Sequence, residues 1–150
     1  MLAQIRPATL DDLPQIIELC RLHAIFEESD YQSEGKAAAL AKHLFQTPPA
    51  LYCQVATIDQ QLLGYVTYMK QFSTWDATYY LYLDCLFLKS EARGQRIGER
   101  LMDAVKEAAK ELNCSLIQWQ TPDFNQRAMK FYRRIGASSK SKERFFLLVD

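Results

Sequence analysis

The sequence is short of the residues that metal and thiol chemistry need. It has two histidines, His23 and His43, and four cysteines, Cys20, Cys53, Cys85 and Cys114, with no CxxC pair and no His cluster beside them. No metal-ligand spacing results, so no metal site is expected. A catalytic cysteine needs a base partner. Both histidines lie in helical regions among polar neighbours, a poor setting for one. The cysteines read as small buried hydrophobes in a reducing compartment. Net charge is also lacking, with eighteen basic residues against eighteen acidic. A strongly basic nucleic-acid footprint is therefore missing, and no nucleic-acid partner is expected. No apolar run approaches the ~20 residues that cross a bilayer, and MLAQIRPATLDDL lacks the apolar core of a signal peptide. The reading is of a soluble cytoplasmic protein with no membrane association.

What is present is an ordinary globular balance, 49% hydrophobic and 24% charged over 150 residues, enough for one domain spanning 1–150. AQIRPA reads as a short strand. Thr9 and Asp12 form a capping-box-like start, followed by Leu13, Ile16, Ile17 and Cys20 at helical spacing. A second helix is expected from Ser33 to Phe45, ended by Pro48 and Pro49. LYCQVATI, DQQ and LLGYVTYMKQF read as a hairpin. YYLYLDCLFL is a long apolar strand of the kind covered on both faces. Residues 96–112 form an amphipathic helix, SLIQWQ a strand, PDFNQRAMKFYRRIGA a short helix with Asp123 and Gln126 in capping-box positions, and ERFFLLV a closing strand. The order β-α-α-β-β-β-α-β-α-β indicates an α/β fold, a mixed sheet with helices on both faces.

One stretch is out of keeping with helix electrostatics. In SEARGQRIGERL three arginines, Arg93, Arg96 and Arg100, crowd the start of a helix, where unpaired N–H groups already carry positive charge. Gly94 and Gly98 permit tight turns and close approach to the main chain. Successive N–H groups there can converge on one anion, a phosphate or pyrophosphate. An exposed helix start whose dipole is met by Glu99 explains the same residues equally well. The pattern is neither a P-loop nor GxGxxG.

The strand–RGQRIG–helix unit resembles the acetyl-CoA-binding motif of the GNAT acetyltransferases, Arg/Gln-x-x-Gly-x-Gly/Ala. Arg93, Arg96 and Gly98 fall on its first, fourth and sixth positions, with Arg96 where the family usually has glycine. NQRAMKFYRRIGA resembles that family's later helix. TWDATYYLYLDCLFL and HAIFEESD are similar to the spermidine/spermine and thialysine N-acetyltransferase branch, which has Glu-Asp where this chain has Asp84-Cys85. The resemblance implies a GNAT-like fold with a mostly antiparallel twisted sheet, acetyl-CoA as co-substrate and frequent homodimers.

It also implies roles. The backbone of Leu86, Phe87 and Leu88 would pair with the pantetheine arm. Residues Arg93, Gly94, Gln95, Arg96, Ile97, Gly98 and Glu99 would hold the pyrophosphate. Asn125 contacts the cofactor or caps its helix. Tyr132 is the candidate general acid and a cofactor contact, or a core aromatic. Asp84, in an apolar strand where burial would raise its basicity, is the candidate base and substrate contact, or a structural carboxylate. Glu27, Glu28 and Trp75 complete the substrate set. The expected reaction moves acetyl to a primary amine, a small polyamine, diamine or lysine-like amine. A protein or aminoglycoside-type acceptor, or a non-catalytic CoA-binding module, is the alternative.

Overall fold

The opening segment forms β1 (Gln4–Pro7), and a 3-10 turn (Leu10–Asp12) leads into α1 (Leu13–Phe26). The Thr9–Asp12 capping pair is observed: the Thr9 N–H donates to Oδ2 of Asp12 at 2.7 Å. The computed structural model describes residues 2–150. Then come α2 (Lys36–Phe45), β2 (Tyr52–Ile58), β3 (Gln61–Ser73), β4 (Thr78–Leu88), α3 (Ile97–Glu111), β5 (Ile117–Gln118) and α4 (Gln126–Arg134). The chain divides into two compact units, Met1–Gln120 and Thr121–Asp150.

In the first unit one five-stranded sheet runs β1-β2-β3-β4-β5. Its pairings are antiparallel except β4 with β5, which is parallel and joins only Leu81–Ile117 and Tyr82–Gln118. On one face Leu13, Ile16 and Leu19 of α1 and Leu44 of α2 pack against Cys53, Val55, Leu62, Tyr65 and Phe87. Strand alternation sends Val66, Tyr68, Leu81 and Leu83 to the other face, where α3 buries Leu101, Met102 and Val105. Each such side chain contributes about 1.5–3 kcal/mol of apolar burial. The β2–β3 turn uses positive φ at Asp59 (49°) and Gln60 (67°), the twist that suits a two-residue hairpin.

Expectation and structure differ in three places. SLIQWQ keeps only two residues in the ladder. The last helix starts at Gln126 with Asn125 as N-cap, whose side chain accepts from the Ala128 N–H at 3.2 Å; Asp123 is therefore outside it. ERFFLLV is not a strand: residues 137–150 have no regular secondary structure, and Phe145, Phe146, Leu147, Leu148 and Val149 are 85–93% exposed. A strand forms where a neighbour takes its backbone hydrogen bonds, and no other strand lies among the described residues of that unit.

Candidate functional site

Two local devices shape the far half of β4. The first is a bulge. Thr67 pairs with Cys85 and Tyr68 with Leu83, so Asp84 is the extra residue, thrown out of the register. This corrects the expectation of burial: Asp84 is exposed, because a charged residue in an apolar run is tolerated where the ladder ejects it. Its Oδ2 lies 3.8 Å from the Cys85 Sγ. Burial pushes the Cys85 thiol up to about 12, which leaves it protonated at neutral pH and a poor nucleophile.

The second device is an open edge. β5 leaves β4 after Tyr82, and no strand of the sheet pairs with the other side of Leu83–Leu88. The Lys89 N–H donates to Leu63 O at 2.8 Å. Alternation from that bond turns the backbone of Phe87 toward Tyr65 of β3, and that of Leu86 and Leu88 toward the open edge. The three backbone candidates are thus divided, two facing outward and one inward. Gly64 allows the close β3–β4 approach here, since a Cβ on it would stand 2.6 Å from the Phe87 carbonyl oxygen and against the Leu88 side chain.

β4 runs through a 3-10 turn (Ser90–Ala92) into the arginine loop. Arg93 donates from Nε to Leu88 O at 3.2 Å, and the Gln95 amide donates to Glu91 O at 3.0 Å. Gly94 takes φ 80° with open space where a Cβ would be. Arg96 adopts φ 63°, ψ 13° as N-cap of α3, a left-handed conformation that glycine favours. The loop therefore keeps a glycine-like turn with arginine in it. Ile97 and Gly98 are buried, and Glu99 lies in the first turn of α3. Arg100 carries a signal that sequence reading did not use for the site: its Nη1 is enclosed with no hydrogen-bond partner among the described residues.

The acidic pair lies at the end of α1. Glu27 accepts from Nε2 of His23 at 2.8 Å, and Glu28 forms the exit turn with φ 58°. His23, set aside in the sequence, is a structural centre: its Nδ1 is 2.9 Å from the Tyr65 hydroxyl, and its ring stacks on Phe87. The i,i+4 spacing of His23 and Glu27 was the available clue; Tyr65, forty-two residues on, was not foreseeable. Trp75 is elsewhere. It sits in the β3–β4 turn, 98% exposed, and Thr78, where β4 begins, is about 20 Å along the strand from Asp84.

The second unit holds Asn125 and Tyr132. Asn125 is 8% exposed, and its amide also donates to the Thr121 hydroxyl at 3.4 Å. Tyr132 is half-buried, as are Ala128, Phe131 and Ile135 on its side of α4, and its ring lies 5.5 Å from that of Phe131.

A strand with an unpaired edge, feeding a positively charged loop at a helix start, suits a ligand with an amide-bearing arm and an anionic head. The model described as the acetyltransferase (GNAT) family matches residues 16–137. The chain belongs to the GNAT acetyltransferases. This makes it an acyltransferase, from a family that uses acetyl-CoA as co-substrate. Within the family it falls with the diamine and thialysine branch. It is 33% identical to a thialysine N-epsilon-acetyltransferase of Bos taurus over 141 residues, 89% of this chain and 82% of that one. It is 26% identical to the human spermidine/spermine N(1)-acetyltransferase-like protein 1, over 93% of this chain and 21% of that longer one. Among solved structures, an aminoglycoside acetyltransferase from a soil metagenome superposes with a TM-score of 0.84 at 22% identity, over 99% of this GNAT chain and 97% of the other. At that identity the likeness concerns the fold. No described helix of this acetyltransferase is long and apolar enough to cross a membrane.

Proposed function

We propose that this chain is an acetyl-CoA-dependent amine N-acetyltransferase whose acceptor is a small polyamine, diamine or lysine-like amine. The observation that carries the reading is the continuity of the open β4 edge with the arginine loop. The outward C=O of Leu86 and N–H of Leu88 suit the two amides of a pantetheine arm. Gly94, the loop N–H groups, Arg93 and Arg96 suit a pyrophosphate. Acetyl-CoA, when bound, supplies the acetyl group as an activated thioester.

The chain's own residues do the rest. An alkyl ammonium has a pKa of ~10.4 and must lose a proton before it can attack. Asp84, ejected at the bulge beside the open edge, takes that proton directly or through water. The Leu86 N–H polarises the carbonyl under attack. Tyr132, a phenol, donates a proton to the departing sulfur, and Asn125 fixes the start of the helix that carries it. Glu28, with Asp30, gives the acceptor entrance negative charge. The thialysine relatives at 28–33% identity support the lysine-like acceptor.

Residues 1–150 act as one catalytic domain in this reading, since the family match runs across both units. The working form is a cytoplasmic homodimer. Exposed Trp75 and the apolar 145–149 tail are surfaces that a second copy would cover, and four free cysteines suit a reducing compartment. The test is thiol release from acetyl-CoA with spermidine, spermine, putrescine, thialysine, lysine, an aminoglycoside and a lysine peptide. Release with the diamines or lysine-like amines is expected. Release confined to the peptide or the drug would overturn the acceptor; none, with acetyl-CoA still raising Tm, would favour a CoA-binding module.

A further inference from the structure

The end of α1 carries a connected aromatic cluster that the reaction scheme above does not use. The His23 ring is held at both nitrogens, by the Tyr65 hydroxyl at 2.9 Å and by Glu27 at 2.8 Å. It stacks on Phe87, with centroids 5.1 Å apart and planes 18° apart. Phe87 lies 6.1 Å from Phe26. The guanidinium of Arg93 lies over both phenylalanines, 4.6 Å from the Phe26 centroid and 5.6 Å from that of Phe87.

An arginine side chain has many rotamers to lose on binding an anion. A guanidinium lying over aromatic rings spends its π-face on the contact, and with its Nε bonded to Leu88 O at 3.2 Å the Arg93 side chain is held at both the stem and the face. The rings here are fixed in turn. Phe87 is 6% exposed, and Tyr65 is 2% exposed, so the hydrogen bond to His23 is enclosed at that end. Phe26 is 38% exposed at the last turn of α1.

We propose that Phe26 and Phe87, braced by His23 between Tyr65 and Glu27, form an aromatic shelf that pre-positions Arg93 for the pyrophosphate of acetyl-CoA. Phe26 and His23 are then positioning residues for cofactor binding. Glu27 belongs to the brace rather than to the acceptor's charge attraction. This rests on reading Arg93 as a pyrophosphate contact.

The test compares two acetyl donors, acetyl-CoA and acetyl-pantetheine, which keeps the thioester and arm but lacks the pyrophosphate. Phe26→Leu preserves apolar volume and removes the ring. It is expected to raise KM for acetyl-CoA, and Kd for CoA by calorimetry, about fivefold, the size of one exposed cation–π contact. Its kcat should stay within twofold and its KM for acetyl-pantetheine should not move. Phe26→Tyr should restore the wild-type value, and His23→Leu should move the same constants in the same direction. Arg93→Ala should raise KM for acetyl-CoA at least as far, with Phe26→Leu adding nothing on top. Equal losses with both donors, or additive losses in the double variant, would overturn the shelf. If Arg93→Ala itself left CoA binding unchanged, the pyrophosphate reading would fall first and the shelf with it.

Discussion

The two ends of α1 are built from similar parts and serve different purposes. At the start, Asp12 is 5% exposed and is gripped by Arg6 through two bonds of 2.7 and 2.9 Å and by the Thr9 N–H. At the finish, Glu27 is gripped by His23, which touches β3 and β4. Each is a carboxylate paired with a nitrogen base. The first closes on itself, tying β1 to the helix start. The second borders the arginine loop through Phe26 and Phe87. A carboxylate bonded to a side-chain nitrogen therefore signals stability in one place and site construction in the other, and what adjoins the pair decides which.

Four substitutions test that division, the largest effect first. Among the site candidates, Asp84→Asn and Tyr132→Phe should each lower kcat by about 10²–10⁴-fold while Tm shifts by no more than ~2 °C for exposed Asp84. Unchanged turnover for either removes it from the chemistry. Asp12→Asn should do the reverse, costing about 2–4 kcal/mol because Arg6 is left with an uncompensated charge, with KM and kcat of the folded enzyme intact. The hydrogen bond from Arg6 holds the Asp12 carboxyl below the usual carboxylate range, burial opposing it and the Thr9 N–H assisting. A depressed folded-state pKa means that this stability is fully present above the unfolded value of ~3.9 and is lost as pH falls through the lower folded one. Tm measured from pH 7 to 2 should therefore fall less steeply below about pH 4 in the Asn variant; parallel curves would refute the linkage. Gly64→Ala joins the two kinds of effect. The added methyl meets the Phe87 carbonyl, so about 1–3 kcal/mol of stability should go together with acetyl-CoA affinity. A stability loss without an affinity loss would show that the β4 edge tolerates the shift.

The same contrast explains which parts were legible in the sequence. The Thr9–Asp12 cap, the α3 stripe, the RGQRIG loop and the β-rich run of β4 are local patterns, and local spacing reveals them. The bulge is not local. It depends on β3 placing Thr67 and Tyr68 against Cys85 and Leu83, and an apolar run around Asp84 reads the same with or without it. His23 looked like a solvated helix residue because Tyr65 and Phe87 are distant in sequence. ERFFLLV has strand composition, but composition supplies no partner for its backbone. Trp75 was joined to the site by resemblance, and a position on a hairpin tip is a matter of strand length rather than of residue type.

The smallest expected effect bears on Arg96, where conformation and charge pull apart. A non-glycine residue at φ 63° carries a strain of about 1 kcal/mol. Arg96→Gly should relieve it and raise stability by up to ~1 kcal/mol, a few degrees in Tm. The lost positive charge at the helix start should raise KM for acetyl-CoA by a factor of about three to five, less at high salt because screening already weakens the arginine's pull. If affinity is unchanged while stability rises, Arg96 is a tolerated replacement for a turn glycine and contributes nothing to anion binding. If affinity falls and stability does not rise, the left-handed turn is held by contacts of the arginine itself. Only the combination of gain in one and loss in the other shows a residue that accepts backbone strain in exchange for charge at the anion site.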